Sequence, residues 1–199
     1  MMAHRIFRLG LVALALTSAS CGSVVREGSG TSFLIISALE AQSGAEPGTF
    51  STNLSSDVLT IVDDVPTIFG DGGRVTFQLG LKDPGPAGAS IAPTQNQFIT
   101  VERYRVRFIR ADGRNTPGVD VPYGFDGAFT VTVAGTASAG FDLVRISAKL
   151  EAPLAALVRT STFINTIAEI TFFGRDQTGH EVSATGRMNV EFGNFGDPE

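Results

Sequence analysis

The stretch Phe163–Phe192, which reads FINTIAEITFFGRDQTGHEVSATGRMNVEF, decides the fold. Both of its halves alternate apolar and polar residues with period two, the pattern of strands that bury one face. The side chains predicted to point inward are Ala168, Ile170, Phe172, Met188, Val190 and Phe192. Between the halves, Asp176–Gly179 supplies the glycine that a four-residue hairpin turn needs at a positive φ angle. We therefore predict a closing β-hairpin in which Phe172 and Val190 face each other, or nearly so, across a sandwich core.

The same alternation recurs upstream in short runs separated by Gly, Pro, Asp and Asn. The further predicted strands are Phe33–Leu39, Val58–Val62, Arg74–Lys82, Phe98–Arg110, Phe129–Val133 and Asp142–Leu150. Stretch 41–56 predicts a loop or a wandering edge, and Ala152–Leu157 predicts one helical turn that crosses between sheets. This pattern predicts an all-β, immunoglobulin-like antiparallel sandwich of about 7–9 strands over residues 32–195, with a short C-terminal tail over 196–199.

The N-terminal region has the three-part layout of a bacterial secretion signal. His4, Arg5 and Arg8 form a basic start, an apolar run covers residues 9–16, and small residues then lead to Cys21. The apolar run is too short for a membrane span, which needs about 20 residues. We therefore predict a signal peptide over residues 1–20. The expected location is the bacterial cell envelope, facing the periplasm or the cell exterior.

The single cysteine stands directly after this region. Residues 16–21, LTSASC, are similar to the lipobox of bacterial lipoproteins, in which the cysteine is diacylated. Ser18 and Ser20 stand where such families favour Leu and then Ala or Gly, so ordinary signal cleavage is the alternative. A lone cysteine forms no intramolecular disulfide, even in a disulfide-permissive compartment. The favoured prediction is a membrane anchor at Cys21 and a flexible tether over residues 21–31.

The charge balance argues against nucleic acid as a partner. Arg5 and Arg8 belong to the predicted signal, so thirteen of the fifteen Lys and Arg remain against twenty Asp and Glu, a net charge of −7. A protein that neutralises phosphates needs a basic footprint. The expected partners are the membrane, through Cys21, and another envelope protein.

The closing hairpin also carries a resemblance. Its central part, Glu169–Val182, resembles the last two strands of bacterial immunoglobulin-like domains, including the fibronectin type III-like ones, with an Asp-x-x-Gly-His turn between alternating strands. The resemblance covers this hairpin alone. It implies an immunoglobulin-like domain of an exported lipoprotein, but one without the cysteine pair and tryptophan of antibody domains, because the chain has one Cys and no Trp.

Two groups of residues are candidates for an interaction surface. Arg103, Arg105 and Arg107 alternate along one predicted strand and therefore project from one face, where they could contact an anionic polymer, a lipid phosphate or an acidic partner. The favoured alternative is that they pair across strands with acids such as Glu169 or Glu191.

Tyr123 and Phe125 form the second group, in a Pro- and Gly-rich loop predicted over 116–127. Loops on a rigid sandwich often carry recognition, and exposed aromatic side chains are effective anchors. The opposite interpretation, in which the rings fold back and plug the end of the sandwich, is equally favoured.

Catalytic and metal-binding patterns are weak. His180 is the one histidine beyond the predicted signal, and it follows a hairpin turn, where a solvated polar residue is ordinary. Asp63, Asp64, Asp120, Asp126 and Asp176 fall in turns or strand ends, where aspartate caps backbone amides. We therefore predict no catalytic residue, no metal and no cofactor.

These observations predict a non-enzymatic envelope lipoprotein that binds a protein or assembles with other envelope components. A calcium or small-ligand module is one alternative, and it predicts acids clustered at one sandwich end. A hydrolase using carboxylates alone is the other, and it predicts a deep cleft with two convergent acids of raised pKa.

Overall fold

The computed structural model describes residues 30–86, 88 and 92–195, so the predicted signal, Cys21 and the C-terminal tail lie outside the described residues. Within it the strands are β1 (Ser32–Gln42), β2 (Asn53–Asp57), β3 (Thr60–Val62), β4 (Val65–Thr67), β5 (Asp71–Leu81), β6 (Ile99–Ile109), β7 (Phe125–Val133), β8 (Thr136–Val144), β9 (Ile164–Asp176) and β10 (Glu181–Gly193). One α-helix, α1 (Ile146–Leu150), and two 3₁₀ helices, Gln95–Gln97 and Leu154–Arg159, complete the described elements.

The strands form a sandwich of two sheets, as predicted. Three strands pair in the order β1-β5-β8 and five in the order β2-β10-β9-β6-β7, while β3 and β4 form a separate two-stranded ribbon. The order corresponds to A-B-E facing G-F-C-C′ of an immunoglobulin-like sandwich, with β2 added outside the G position. One pairing departs from the antiparallel expectation, because β2 runs parallel to β10.

The core lies between the two sheets. Phe77 of β5 and Phe172 of β9 meet edge to face with ring centroids 5.1 Å apart, and both side chains are fully buried. The inward side chains of β9 and β10 are the predicted ones, so the parity of the closing hairpin is confirmed. The predicted partnership of Phe172 and Val190 is wrong: both belong to the five-stranded sheet, where Phe172 is paired with Ala184 and Val190 with Thr166.

The region predicted as one strand over Asp142–Leu150 changes structure in the middle. Strand β8 ends at Val144, and Ile146–Leu150 forms the helix α1. The helical turn directs Lys149 inward, where its Nζ lies 2.9 Å from Asp71 Oδ2, and leaves Ile146 and Leu150 exposed. A continued strand would have buried Ile146 and Leu150. In the helix, Lys149 is buried in their place, because the carboxylate that pairs with its ammonium group belongs to Asp71, the first residue of β5.

Other boundaries differ as well. Stretch 41–56, predicted as a loop or a wandering edge, contains both, because β1 continues to Gln42 and, after a loop, β2 begins at Asn53 at the edge of the five-stranded sheet beside β10. The predicted strand Val58–Val62 is instead a buried Val58 followed by the ribbon strand β3. Strand β7 begins at Phe125, inside the predicted aromatic loop. The helical turn predicted over Ala152–Leu157 is present as the 3₁₀ helix Leu154–Arg159.

Candidate interaction surface

The described chain begins at one end of the sandwich, here called the N-terminal end. Gly30 is buried beside the closing hairpin turn: a Cβ atom there would lie 3.4 Å from Asp176 Oδ2 and 3.5 Å from His180 Cβ. Ser32 Oγ donates a hydrogen bond of 2.8 Å to the carbonyl oxygen of Gln97. The first described residues are therefore held between two loops of this end.

Four long connections lie at the opposite end, here called the distal end, whereas the connection 82–98 between β5 and β6 lies at the N-terminal end. The distal end comprises the segments 43–52, 58–70, 110–124 and 145–163. These segments connect the strand ends that lie farthest from Gly30. Strands β1 and β5 each have 11 residues. At about 3.3 Å per residue they separate the two ends by roughly 35 Å.

Exposed apolar side chains are concentrated at the distal end. Among the described residues, eight large apolar side chains are exposed, and seven of these belong to the distal end: Val62, Val65, Val119, Tyr123, Ile146, Leu150 and Phe163. The eighth, Phe33, is on β1 near the N-terminal end. Single exposed apolar residues are normal on any protein, but their concentration in one region is typical of an interaction surface.

Helix α1 is held at the distal end by a buried polar network that the sequence analysis missed. Lys149 Nζ pairs with Asp71 Oδ2 at 2.9 Å and donates to the carbonyl oxygen of Asp57 at 2.7 Å. Asp71 also accepts hydrogen bonds from Ser56 Oγ at 2.6 Å and from the Gly44 amide at 2.9 Å. The only signal in the sequence was a lysine among alternating apolar residues, which a strand pattern places outside.

Ser56, Asp71 and Lys149 are residue types that occur in nucleophilic catalytic sites, but their arrangement here suits a structural role and not catalysis. Ser56 Oγ and Lys149 Nζ both bind Asp71 Oδ2, and all three residues are at most 2% exposed. A nucleophile must reach substrate and must be bonded to a base that takes its proton. Here the hydroxyl is directed at a carboxylate that is already paired, so the set stabilises the packing of α1 and β5.

The three predicted arginines do project from one face, the outer face of the five-stranded sheet. Arg105 Nε donates to Asp126 Oδ1 at 2.7 Å, and this hydrogen bond raises the pKa of Arg105 and lowers the pKa of Asp126. Arg103 stacks on the ring of Phe173 at 4.0 Å. Two of the three arginines therefore have partners within the sheet.

Arg107 differs from its two neighbours. It stands directly opposite Glu169 in the strand register, yet Glu169 binds Arg187 on its other side at 2.6 Å. The expected pairing of this acid with the arginine series is therefore not the one formed. Within the described part of the chain, the Arg107 side chain makes no hydrogen bond or ion pair, so it is the member of the series open to an outside contact.

The two loop aromatics separate. Tyr123 is 57% exposed at the distal end. Phe125 instead packs edge to face with Tyr104, with centroids 6.3 Å apart, and lies under the guanidinium of Arg145 at 3.9 Å. Tyr123 is therefore exposed, which the anchor interpretation requires, whereas Phe125 folds back against the sandwich.

His180 belongs to a cluster in the closing hairpin turn. Its Nδ1 lies 2.9 Å from Asp176 Oδ2 and 2.7 Å from Thr178 Oγ1. A catalytic triad needs the acid and the nucleophile on different ring nitrogens, whereas here both partners share Nδ1. Burial tends to raise the pKa of Asp176, but the hydrogen bonds from Thr178 and His180 outweigh it, so the pKa of Asp176 is lowered. The cluster fastens the turn against Gly30.

Pairs of acids line two small recesses of the described structure. Glu102 and Glu181 line one beside Arg103 and Arg175, and Glu46 and Asp57 line the other, where the Asp57 carboxylate already accepts hydrogen bonds from Thr60 and Phe195. Within residues 30–86, 88 and 92–195, no three His, Cys, Asp or Glu side chains are placed to hold a metal ion. A recess of about 530 Å³ on the outer face of the three-stranded sheet is lined by glycines 72, 73 and 140 with Phe50 and Arg74, and its one acid is Asp142. The same part of the chain has no helix of the length and apolar character that crossing a membrane requires.

Comparisons of the chain with protein-family models, with curated proteins and with solved structures found no match.

Proposed function

We propose that the protein is a non-enzymatic, lipid-anchored protein of the bacterial cell envelope, and that its immunoglobulin-like sandwich binds a partner protein through the distal end. The observation that carries this proposal is the concentration of exposed apolar side chains at that end, opposite the point where the described chain begins. An anchor at Cys21 would attach the sandwich to the membrane by its N-terminal end. The distal end would then face away from the membrane.

The buried network supports the same conclusion. Lys149 and Asp71 fix α1 so that Ile146 and Leu150 remain outside, although both could be covered by a continued strand. A buried ion pair contributes little to stability compared with apolar packing of the same volume. The arrangement therefore gives the domain an ordered apolar surface at a cost in stability, which is consistent with use of that surface in binding.

Site-specific photocrosslinking in the cells that make the protein tests the binding surface. A photoreactive phenylalanine analogue is placed at Leu150 and at Phe163, and, as controls, at Thr132 and Ser138, which are exposed on strands away from the distal end. The expected result is one crosslinked protein common to both distal positions, which then binds the purified domain directly. Equal crosslinking from the control positions would contradict the proposal.

The anchor has a separate test. Cys21→Ala should move the protein from the membrane fraction to the soluble fraction, and the mass of the mature wild-type N-terminus should include a diacylglyceryl group. A wild-type protein that is already soluble and unacylated would disprove the anchor and leave the binding surface untouched.

A further inference from the structure

We propose that the ribbon β3–β4 is the part of the distal end that recognises the partner, and that it enters a protein surface with an apolar floor and a basic rim. This inference rests on the proposed function and adds to it the recognising element and the chemistry of the partner.

The ribbon projects from the sandwich as a separate element. Its strands pair with each other over Thr60–Thr67, and neither strand joins one of the two sheets. The five residues from Val62 to Pro66 are all exposed. Side chains that remain exposed bury little apolar area, so the tip of the ribbon contributes little to the core of the sandwich.

The tip has a defined shape. Asp63 and Asp64 have φ angles of 51° and 63°, the left-handed pair of a two-residue hairpin turn whose twist matches that of the strands. Val62 and Val65 are directly opposite each other across this turn, so their side chains share one face. They are 41% and 59% exposed. The tip therefore presents an apolar pair and a carboxylate pair in fixed relation.

The negative charge of the ribbon and its flanking residues indicates which charge the partner's binding surface should carry at its rim. Residues 58–73 contain no Lys or Arg, and their acids are Asp63, Asp64 and the buried, paired Asp71. The first cation beyond the segment, Arg74, already bonds Glu40 at 2.8 Å. The two tip carboxylates thus have no neutralising cation in their own segment, and a basic rim would complement them. The same charges oppose contact with anionic lipid or nucleic acid.

Selection from a randomised peptide library displayed on phage tests the inference, with the purified full-length protein as target. The ribbon variant carries Val62→Thr, Val65→Thr, Asp63→Asn and Asp64→Asn, which keep β-branched strand residues and the left-handed tolerance of asparagine. A second variant carries only the two Asp→Asn changes. A third, Leu150→Glu with Phe163→Ser, alters the distal end outside the ribbon. Circular dichroism and melting curves confirm that each variant folds.

The expected result is enrichment of peptides with Lys or Arg beside apolar residues, whose binding weakens at least about tenfold on the ribbon variant. Their binding to wild type, but not to the Asp→Asn variant, should also weaken between about 50 and about 500 mM salt. Some peptides could bind the ribbon variant as tightly as wild type but lose binding to the variant with Leu150→Glu and Phe163→Ser. That result would overturn the inference and leave the proposed function standing. Peptides indifferent to all variants, or no enrichment, would overturn both.

Discussion

Lys149 and Asp71 form an ion pair of 2.9 Å in which neither residue is more than 2% exposed, and this pair joins helix α1 to the first residue of β5. Removing one member leaves the other charge buried without its partner. Lys149→Met should therefore lower the free energy of unfolding by about 3–5 kcal/mol. Urea denaturation measures this loss. The matched control is Arg175→Met, because Arg175 forms an exposed pair with Glu181 at 3.6 Å and should cost less than about 1 kcal/mol. Equal costs for the two variants would contradict a structural role of the buried pair.

Phe172 should be among the most sensitive positions in the core. Its ring is fully buried and contacts Phe77 and Phe141 edge to face, at 5.1 and 5.5 Å. Phe172→Ala should cost about 3–5 kcal/mol through lost packing and a cavity. Its neighbour Thr171 points outward and shares a hydroxyl hydrogen bond of 2.9 Å with Thr185, so Thr171→Ala should cost no more than about 1 kcal/mol. Denaturant melts that rank Thr171 with Phe172 would disprove the assigned parity of β9.

Two glycines of the three-stranded sheet should respond differently to the same substitution. A Cβ atom at Gly73 would overlap the ring of Phe141, which is buried, whereas at Gly140 the nearest atom would be the carbonyl oxygen of Gly73 at 3.9 Å. Gly73→Ala should destabilise the domain by about 1–3 kcal/mol through overpacking. Gly140→Ala should be neutral or stabilising by up to about 1 kcal/mol, because it removes backbone freedom from the unfolded chain. Thermal melts of the two variants compare them directly, and a loss at Gly140 as large as that at Gly73 would count against the packing described.

Acid should weaken the closing hairpin through Asp176. Its pKa is lowered in the folded state, so the unfolded chain binds this proton more readily. The stabilisation is complete above the unfolded value of about 3.9 and is lost as pH falls through the lower folded pKa. Asp176→Asn should remove that part of the acid sensitivity. Urea melts at a series of pH values provide the measurement. If the free energy of unfolding changed with pH at the same slope in wild type and variant below about pH 4, Asp176 would not be a source of acid sensitivity.

The strands of the core were predictable because period-two alternation depends on burial of one face. Parity was therefore correct for β9 and β10, and for Tyr104, Val106 and Phe108 of β6, all of which are buried. Strand β2 was not predictable in the same way. It is a short edge strand of polar sequence, NLSSD, and it is strand because the edge of β10 lies beside it.

The candidate surface was harder to predict for a physical reason. An apolar residue in an alternating run is predicted to lie in the core, and nothing in the neighbouring sequence distinguishes Ile146 or Leu150 from Val144. The difference arises from Asp71, distant in sequence, whose carboxylate draws Lys149 inward and turns its apolar neighbours outward. The arginine series was predicted on the correct face, but the partner of Glu169 depended on whether β6 or β10 supplied the closer guanidinium.

The parallel pairing of β2 with β10 also determines when the sheet can be completed. Asn53 pairs with Asn189, and the amide of Phe195 donates to Asp57 Oδ1 across 138 residues of sequence. Contacts of such high separation form late and slow the folding of β-rich domains. A chain that emerges from its N-terminus cannot close its larger sheet until β10 has appeared. Because Asp57 also accepts the hydrogen bond of Lys149, the ordering of α1 is tied to the same event. The last strand must therefore be in place before β2, and with it one hydrogen-bond partner of Lys149, can be fixed at the distal end.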